Sequence, residues 1–269
     1  YSVWADLYRI PYEKQKLDDN MKIVPEDYYK ENGGVIFPNP NAPTGLLMDL
    51  DSVRDIIEHN KDVVVIVDEA YIDFGGVSAK DLVNEYDNVL VVQTFSKSRS
   101  MAGMRIGYAF GSKELIKALN DVKFSFNSYT MNMTSIDMGV ASINDKKYFE
   151  ECVERITATR ERTKEELTKL GFTFPDSKAN FIFATHKSVP AKEIFEKLKD
   201  LNIFVRYFAQ PGIDNYLRIT IGTDEVIKLV DELETTYNRG LADTFDELFS
   251  SDFSKYWGKE YLWTIPGTG

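Results

Sequence analysis

Val89-Leu90-Val91-Val92-Gln93-Thr94-Phe95-Ser96-Lys97 is a strand followed by chemistry. A continuous apolar, β-branched run that stops at polar groups belongs in a sheet covered on both faces, because neither face tolerates a polar residue until the strand ends. Working outward, Val63-Val64-Val65-Ile66-Val67 repeats the pattern and stops at Asp68. Gly34-Val35-Ile36-Phe37 repeats it again, bounded by Gly33 and the Pro38–Gly45 turn cluster. Between the latter two runs, Ser52 to His59 has helical spacing, with Asp51 as its expected N-cap. Arg105 to Phe110 reads as a further short strand. Strands alternating with helices imply an open α/β sheet, and ligands of such sheets bind beyond the carboxyl ends of the strands. The polar clusters Asn39/Asn41, Asp68/Tyr71 and Ser96/Lys97 all fall at that edge.

Ser112 to Glu166 reads mostly as helix, and its charged part from Tyr148 to Leu170 leads into a different pattern. Asn180–Ala184, Ile203–Phe208 and Leu217–Ile221 read as strands and Ala191–Leu201 as a helix. Asp224–Tyr237 reads as a second helix behind a Thr223 cap. The expected fold class is therefore α/β, a mostly parallel sheet sandwiched by helices, with a small α+β C-terminal domain. The expected boundaries are a large domain at 1–145, a small domain at 146–240, and a tail at 241–269. That tail holds Phe245, Phe249, Phe253, Tyr256, Trp257, Tyr261 and Trp263, a density that argues against simple disorder. The chain opens at Tyr1 as if inside a domain, so a preceding segment is expected.

With 269 residues, 43% hydrophobic and 28% charged, the chain is long enough for a sizeable core. A net charge of −11 argues against nucleic acid or an anionic membrane as partner, and an anionic substrate needs a locally basic pocket. No apolar run approaches a membrane span, and no signal peptide is seen. The single Cys152 excludes an internal disulfide and fits a reducing cytoplasm. One cysteine with His59 and His186 cannot build a four-ligand His/Cys zinc site; both histidines read as solvated. Neither a Walker A loop nor a G-x-G-x-x-G motif is present, which leaves nucleotide readings without support.

Lys97 beside Ser96, with Arg105 eight residues on, suits an aldehyde that carries a phosphate. The amine condenses with the aldehyde, while hydroxyl and guanidinium hold the phosphate.

Four motifs stand in order: Asn39-Pro40-Asn41-Ala42-Pro43-Thr44-Gly45, Asp68-Glu69-Ala70-Tyr71, Ser96-Lys97 through Arg105, and Tyr216-Leu217-Arg218-Ile219-Thr220-Ile221-Gly222-Thr223. From Tyr1 to about Gly240 the chain resembles the fold-type I pyridoxal-phosphate aminotransferases, nearest the branch that works on histidinol phosphate. The resemblance implies pyridoxal 5'-phosphate as cofactor, small amino and keto acids as substrates, and a cytoplasmic homodimer. It implies that Lys97 carries the cofactor and shuttles a proton, that Asp68 faces the pyridine nitrogen, and that Tyr71 bonds the phenolic oxygen. Thr94, Ser96 and Arg105 would hold the phosphate, and the ring of Tyr1 would stack on the cofactor. Arg218 would grip an α-carboxylate, and Arg206 is a second candidate, for a substrate phosphate. Ala42 stands where the family commonly has asparagine; Asn41, or else Asn39, would supply that amide. Also missing is the family's Gly-Ser-Asp-type loop, which lies ahead of the position of Tyr1. Open alternatives are an aromatic or branched-chain aminotransferase, a pyridoxal-phosphate decarboxylase, and a non-catalytic remnant.

Overall fold

The computed structural model describes residues 1–222. The helix expected at Asp224–Tyr237, its Thr223 cap and the aromatic segment 241–269 lie outside the described residues. Six α-helices and eight strands follow in order: α1 (Ser2–Tyr8), β1 (Val35–Pro38), α2 (Leu50–Glu58), β2 (Val65–Asp68), β3 (Val89–Thr94), β4 (Gly107–Gly111), α3 (Lys113–Phe126), α4 (Met133–Asn144), α5 (Lys146–Lys169), β5 (Phe172–Thr173), β6 (Phe181–His186), α6 (Ala191–Asp200), β7 (Arg206–Tyr207) and β8 (Leu217–Thr220).

The first sheet runs β1-β2-β3-β4. The first three strands are parallel, in register Val35↔Val65↔Val89, and β4 returns antiparallel to β3. Val35, Phe37, Val65, Val67, Val89 and Val91 alternate along their strands into one core. Helix α2 covers it with Val53, Ile56 and Ile57, the three- and four-residue spacing of a buried helical stripe. That helix begins one residue before the expected cap. Asp49, not Asp51, is the N-cap, its Oδ1 accepting from Ser52 N at 2.8 Å, which leaves Asp51 in the first turn.

Strand β2 pairs from Val65 rather than Val63, because Val63 N–H turns back to the Asn60 carbonyl. The long helical stretch after Ser112 divides in three. Asn132 and Asp145 interrupt it, their side chains accepting from Ser135 N at 2.8 Å and Tyr148 N at 3.2 Å to start α4 and α5.

The second sheet runs β5-β6-β8-β7, antiparallel throughout. Of the strand expected over Ile203–Phe208, only Arg206–Tyr207 pairs. His186 is buried, against the expectation of a solvated side chain. Its Nδ1 accepts from Val189 N at 3.0 Å and Ser188 N at 3.2 Å, and Nε2 lies 3.0 Å from the Leu170 carbonyl, so the ring closes the turn after β6. His59 is half exposed and stacks on Tyr29 at 3.7 Å.

Helix α5 joins the sheets. Its buried Arg160 donates through Nη1 to the Phe74 carbonyl at 2.8 Å and the Ala179 carbonyl at 3.0 Å. The Pro38–Gly45 loop also reaches across, with Lys178 N–H on the Gly45 carbonyl at 2.7 Å. Gly45 is required there: its φ is +76°, and a Cβ would lie 2.2 Å from Ser177 Oγ. No helix of the described residues is long and apolar enough to cross a membrane.

Candidate active site

The three strand-end clusters converge where β1, β2 and β3 finish side by side. At the end of β2, Asp68 Oδ1 accepts from Ala70 N at 3.1 Å and Oδ2 from the Tyr1 hydroxyl at 2.7 Å. Burial and the Asp68 charge hold the Tyr1 phenol well above its ordinary titration range. Tyr1 thus meets Asp68 through its hydroxyl.

Lys97 follows β3 and is half-buried, its Nζ 5.3 Å from the centroid of the Tyr71 ring. Tyr71 sits edge-on to Phe181 at 5.1 Å, and the Arg218 guanidinium lies over the other part of the same contact, 5.1 Å from the Phe181 ring. Lysine, tyrosine, phenylalanine and arginine form one line from the first sheet to the second. Arg218 Nε is buried and has no hydrogen-bond partner among the described residues. Arg206 is the cross-strand neighbour of Arg218, and both guanidiniums flank Phe208, at 5.5 Å and 5.9 Å.

Thr94 Oγ1 accepts from Ser96 N at 3.1 Å and lies 2.9 Å from Ser96 Oγ, which gathers two hydroxyls just before Lys97. Arg105 is exposed, its Nη1 on the Ala102 carbonyl at 3.1 Å. Its φ of 57° is left-handed, a conformation that costs a non-glycine residue of order 1 kcal/mol and recurs at ligand sites. In the β1 loop, Asn39 clamps Met48, Oδ1 accepting from its N–H at 2.8 Å and Nδ2 donating to its carbonyl at 3.1 Å. Asn41 Oδ1 accepts from Thr44 Oγ1 at 2.9 Å. Arg99, the other basic residue near Lys97, is taken up by the Ser142 carbonyl at 2.7 Å and the Phe149 ring at 4.1 Å.

Sequence reading missed Phe181, which joins Tyr71 to Arg218; an aromatic at a strand start carries no signal of that role. It also missed side chains on the far face of the sheet, the buried Glu69 and Gln93 and the half-exposed Tyr108. Glu69 stood inside a quoted motif without an assignment.

The aminotransferase class I and II family model matches residues 4–232, and the chain belongs to that family. It is 52% identical over 232 residues to the histidinol-phosphate aminotransferase of Clostridium beijerinckii, covering 86% of this chain and 65% of the relative. It is 50% identical over 240 residues to that of Clostridium botulinum strain 657, covering 89% and 68%. The crystal structure of the histidinol-phosphate aminotransferase from Clostridium acetobutylicum superposes with a TM-score of 0.81 at 25% identity, covering 89% of this chain and 75% of that one. The chain spans about two thirds of the length of these curated relatives (65% and 68%).

Proposed function

We propose that this chain carries the active site of a pyridoxal-phosphate-dependent aminotransferase that moves an amino group between histidinol phosphate and 2-oxoglutarate, a step of histidine biosynthesis. The names of its relatives at 52% and 50% identity support this reading. The observation that carries it is Arg218. A half-buried arginine whose buried Nε–H is left unspent is a donor for an anion. It stands two aromatic rings, Tyr71 and Phe181, away from Lys97.

The donor set fits pyridoxal phosphate. An amine for the aldehyde comes from Lys97, a carboxylate for the ring nitrogen from Asp68, and a phenol for the ring oxygen from Tyr71. Thr94, Ser96 and Arg105 offer two hydroxyls and a guanidinium to the phosphate, and Asn41 offers an amide beside the ring. When bound, the cofactor supplies an electron sink for the carbanion at the substrate's α carbon.

The chain's own residues do the rest. Lys97 Nζ would hold the cofactor's aldehyde and, when free, would carry a proton to and from the substrate α carbon. Asp68 keeps the ring nitrogen protonated. Arg218 grips the α-carboxylate of glutamate in a fork, and Arg206 meets the phosphate of the other substrate. Over the cycle glutamate would become 2-oxoglutarate and imidazole-acetol phosphate would become histidinol phosphate. The protein is a cytoplasmic homodimer in this reading.

The test is an absorbance spectrum with added pyridoxal phosphate before and after borohydride, beside Lys97→Ala. A yellow band fixed by borohydride onto Lys97, absent in the variant, supports the reading; no band overturns it. Turnover of histidinol phosphate against phenylalanine then tests the substrate, and equal rates would refute that part.

A further inference from the structure

We propose that Glu69 is a positioning residue that holds Asp68 and Lys97 in place from the opposite face of the sheet, acting through Gln93 and Tyr108. The proposal rests on the aminotransferase reading above. Asp68 and Glu69 are consecutive at the end of β2, so the pleat sends them to opposite faces. Glu69 is 1% exposed. Its Oε2 accepts from Ser78 Oγ at 2.5 Å and Gln93 Nε2 at 2.7 Å, and its Oε1 from Ala79 N at 2.6 Å. Gln93 lies on β3, directly before Thr94, and β3 leads into Lys97. From β4, the Tyr108 hydroxyl donates to Gln93 Oε1 at 2.7 Å. With its oxygen taken, the Gln93 amide turns Nε2 toward Glu69. The row therefore crosses β2, β3 and β4, the strands that deliver Asp68, Lys97 and Arg105.

Packing alone does not explain a carboxylate here. Among the described residues Glu69 has no basic hydrogen-bond or ion-pair partner, and Asp73, whose charge acts on it, has the same sign. A buried carboxylate without a counter-ion is costly, and an apolar side chain of similar size would avoid that cost. What an apolar side chain lacks is direction. Three hydrogen bonds fix the end of β2 against the 78–79 turn and against β3. A second tie from the same region secures the other side of Lys97: Ser98 Oγ donates to Asp73 Oδ2. Lys97 is thus held before and after by residues that never touch the reacting atoms.

The experiment compares the chain with Glu69→Gln, Tyr108→Phe and the exchange Glu69→Gln/Gln93→Glu. It reads pyridoxal-phosphate affinity by fluorescence quenching, the absorbance maximum of the Lys97-bound band with its pH profile, and thermal melting. Glu69→Gln turns an acceptor into a donor opposite Gln93 and is expected to weaken cofactor affinity about tenfold and shift the pH profile of the band. Tyr108→Phe, half-exposed and mild, is expected to weaken affinity about threefold with its melting temperature nearly unchanged. The exchange restores a donor facing an acceptor and is expected to recover most of the loss, which a simple packing role would not do. Unchanged affinity and band in Tyr108→Phe, or in a folded Glu69→Gln, overturns the proposal while leaving the aminotransferase reading intact. A parent chain that forms no borohydride-fixed link at Lys97 overturns both.

Discussion

Arg206 and Arg218 face one another directly across the β7–β8 ladder, and the ring of Phe208 lies beside both guanidiniums. Like charges at opposed positions weaken a sheet by roughly 0.2–1 kcal/mol. Neither has a carboxylate partner among the described residues, in a chain whose net charge is −11. Positive charge is concentrated there against the interest of stability. Arg206→Ala is therefore expected to raise unfolding free energy by about 0.5 kcal/mol in urea titration. The same variant is expected to raise KM for histidinol phosphate about tenfold or more while changing KM for glutamate little. A uniform effect on both substrates would remove the phosphate role from Arg206.

Arg218→Lys keeps the charge and loses the fork. Because the guanidinium binds carboxylate through two parallel donors, the change is expected to lower kcat/KM for glutamate by about a hundredfold and that for histidinol phosphate, which carries no carboxylate, far less. Steady-state kinetics with each substrate check this, and melting should move little.

The Tyr1 hydroxyl, 2.7 Å from Asp68 Oδ2, occupies the carboxylate that the proposed function assigns to the cofactor's ring nitrogen. A hydrogen bond to a charged acceptor contributes about 1.5–3 kcal/mol. Tyr1→Phe removes this competitor and keeps the ring, so cofactor affinity is expected to rise several-fold in a quenching titration. Weaker binding would instead assign the hydroxyl to the bound state.

Gly45→Ala combines a left-handed φ with a Cβ 2.2 Å from Ser177 Oγ. Ser177 cannot give way freely, since its hydroxyl donates to the Phe181 carbonyl at 2.6 Å and accepts from Ala179 N at 3.1 Å. The expected loss is about 2–4 kcal/mol by denaturant titration, from backbone strain plus overpacking.

Two carboxylates give stability opposite dependence on pH. The hydrogen bond from Lys164 at 2.7 Å, with Lys178 nearby, holds the Asp176 carboxyl below its usual range. Its contribution is present above the unfolded value of about 3.9 and is lost as pH falls through the lower folded value. Burial pushes Glu69 up against its three donors. Its contribution is present below the unfolded value of about 4.3 and is lost as pH rises through the folded value. Asp176→Asn is expected to flatten the acid limb of a melting-temperature profile, and Glu69→Gln the decline on the other side.

The parallel strands were legible because a strand covered on both faces must be apolar until it ends, so the run from Val89 to Thr94 marks its own limits. The four motifs were legible because each pairs a backbone device with a chemical group. Less legible were features fixed by competition. Asp49 and Asp51 are both cap residues, and only the geometry of the first turn chooses between them. His186 looked like a loop histidine because the backbone N–H groups it satisfies come from residues with no pattern of their own. Glu69 and Gln93 lie in runs where a polar residue reads as a strand end, and the row they share exists only across strands. Phe181 gains its place between Tyr71 and Arg218 from the approach of the second sheet, which no local spacing encodes.

Arg160 fastens that second sheet to the first. One nitrogen holds the carbonyl of Phe74, three residues beyond Tyr71, and the carbonyl of Ala179, two before Phe181. Pulling the sheets apart at this seam would break both carbonyl bonds while Nε stays paired with Glu161 at 2.8 Å, and a hydrogen bond to a charged group contributes about 1.5–3 kcal/mol. With Lys178 N–H on the Gly45 carbonyl at 2.7 Å, the seam is fastened at two points, so the spacing between Tyr71 and Phe181, and with it the reach from Lys97 to Arg218, is set by backbone atoms that lie outside the site.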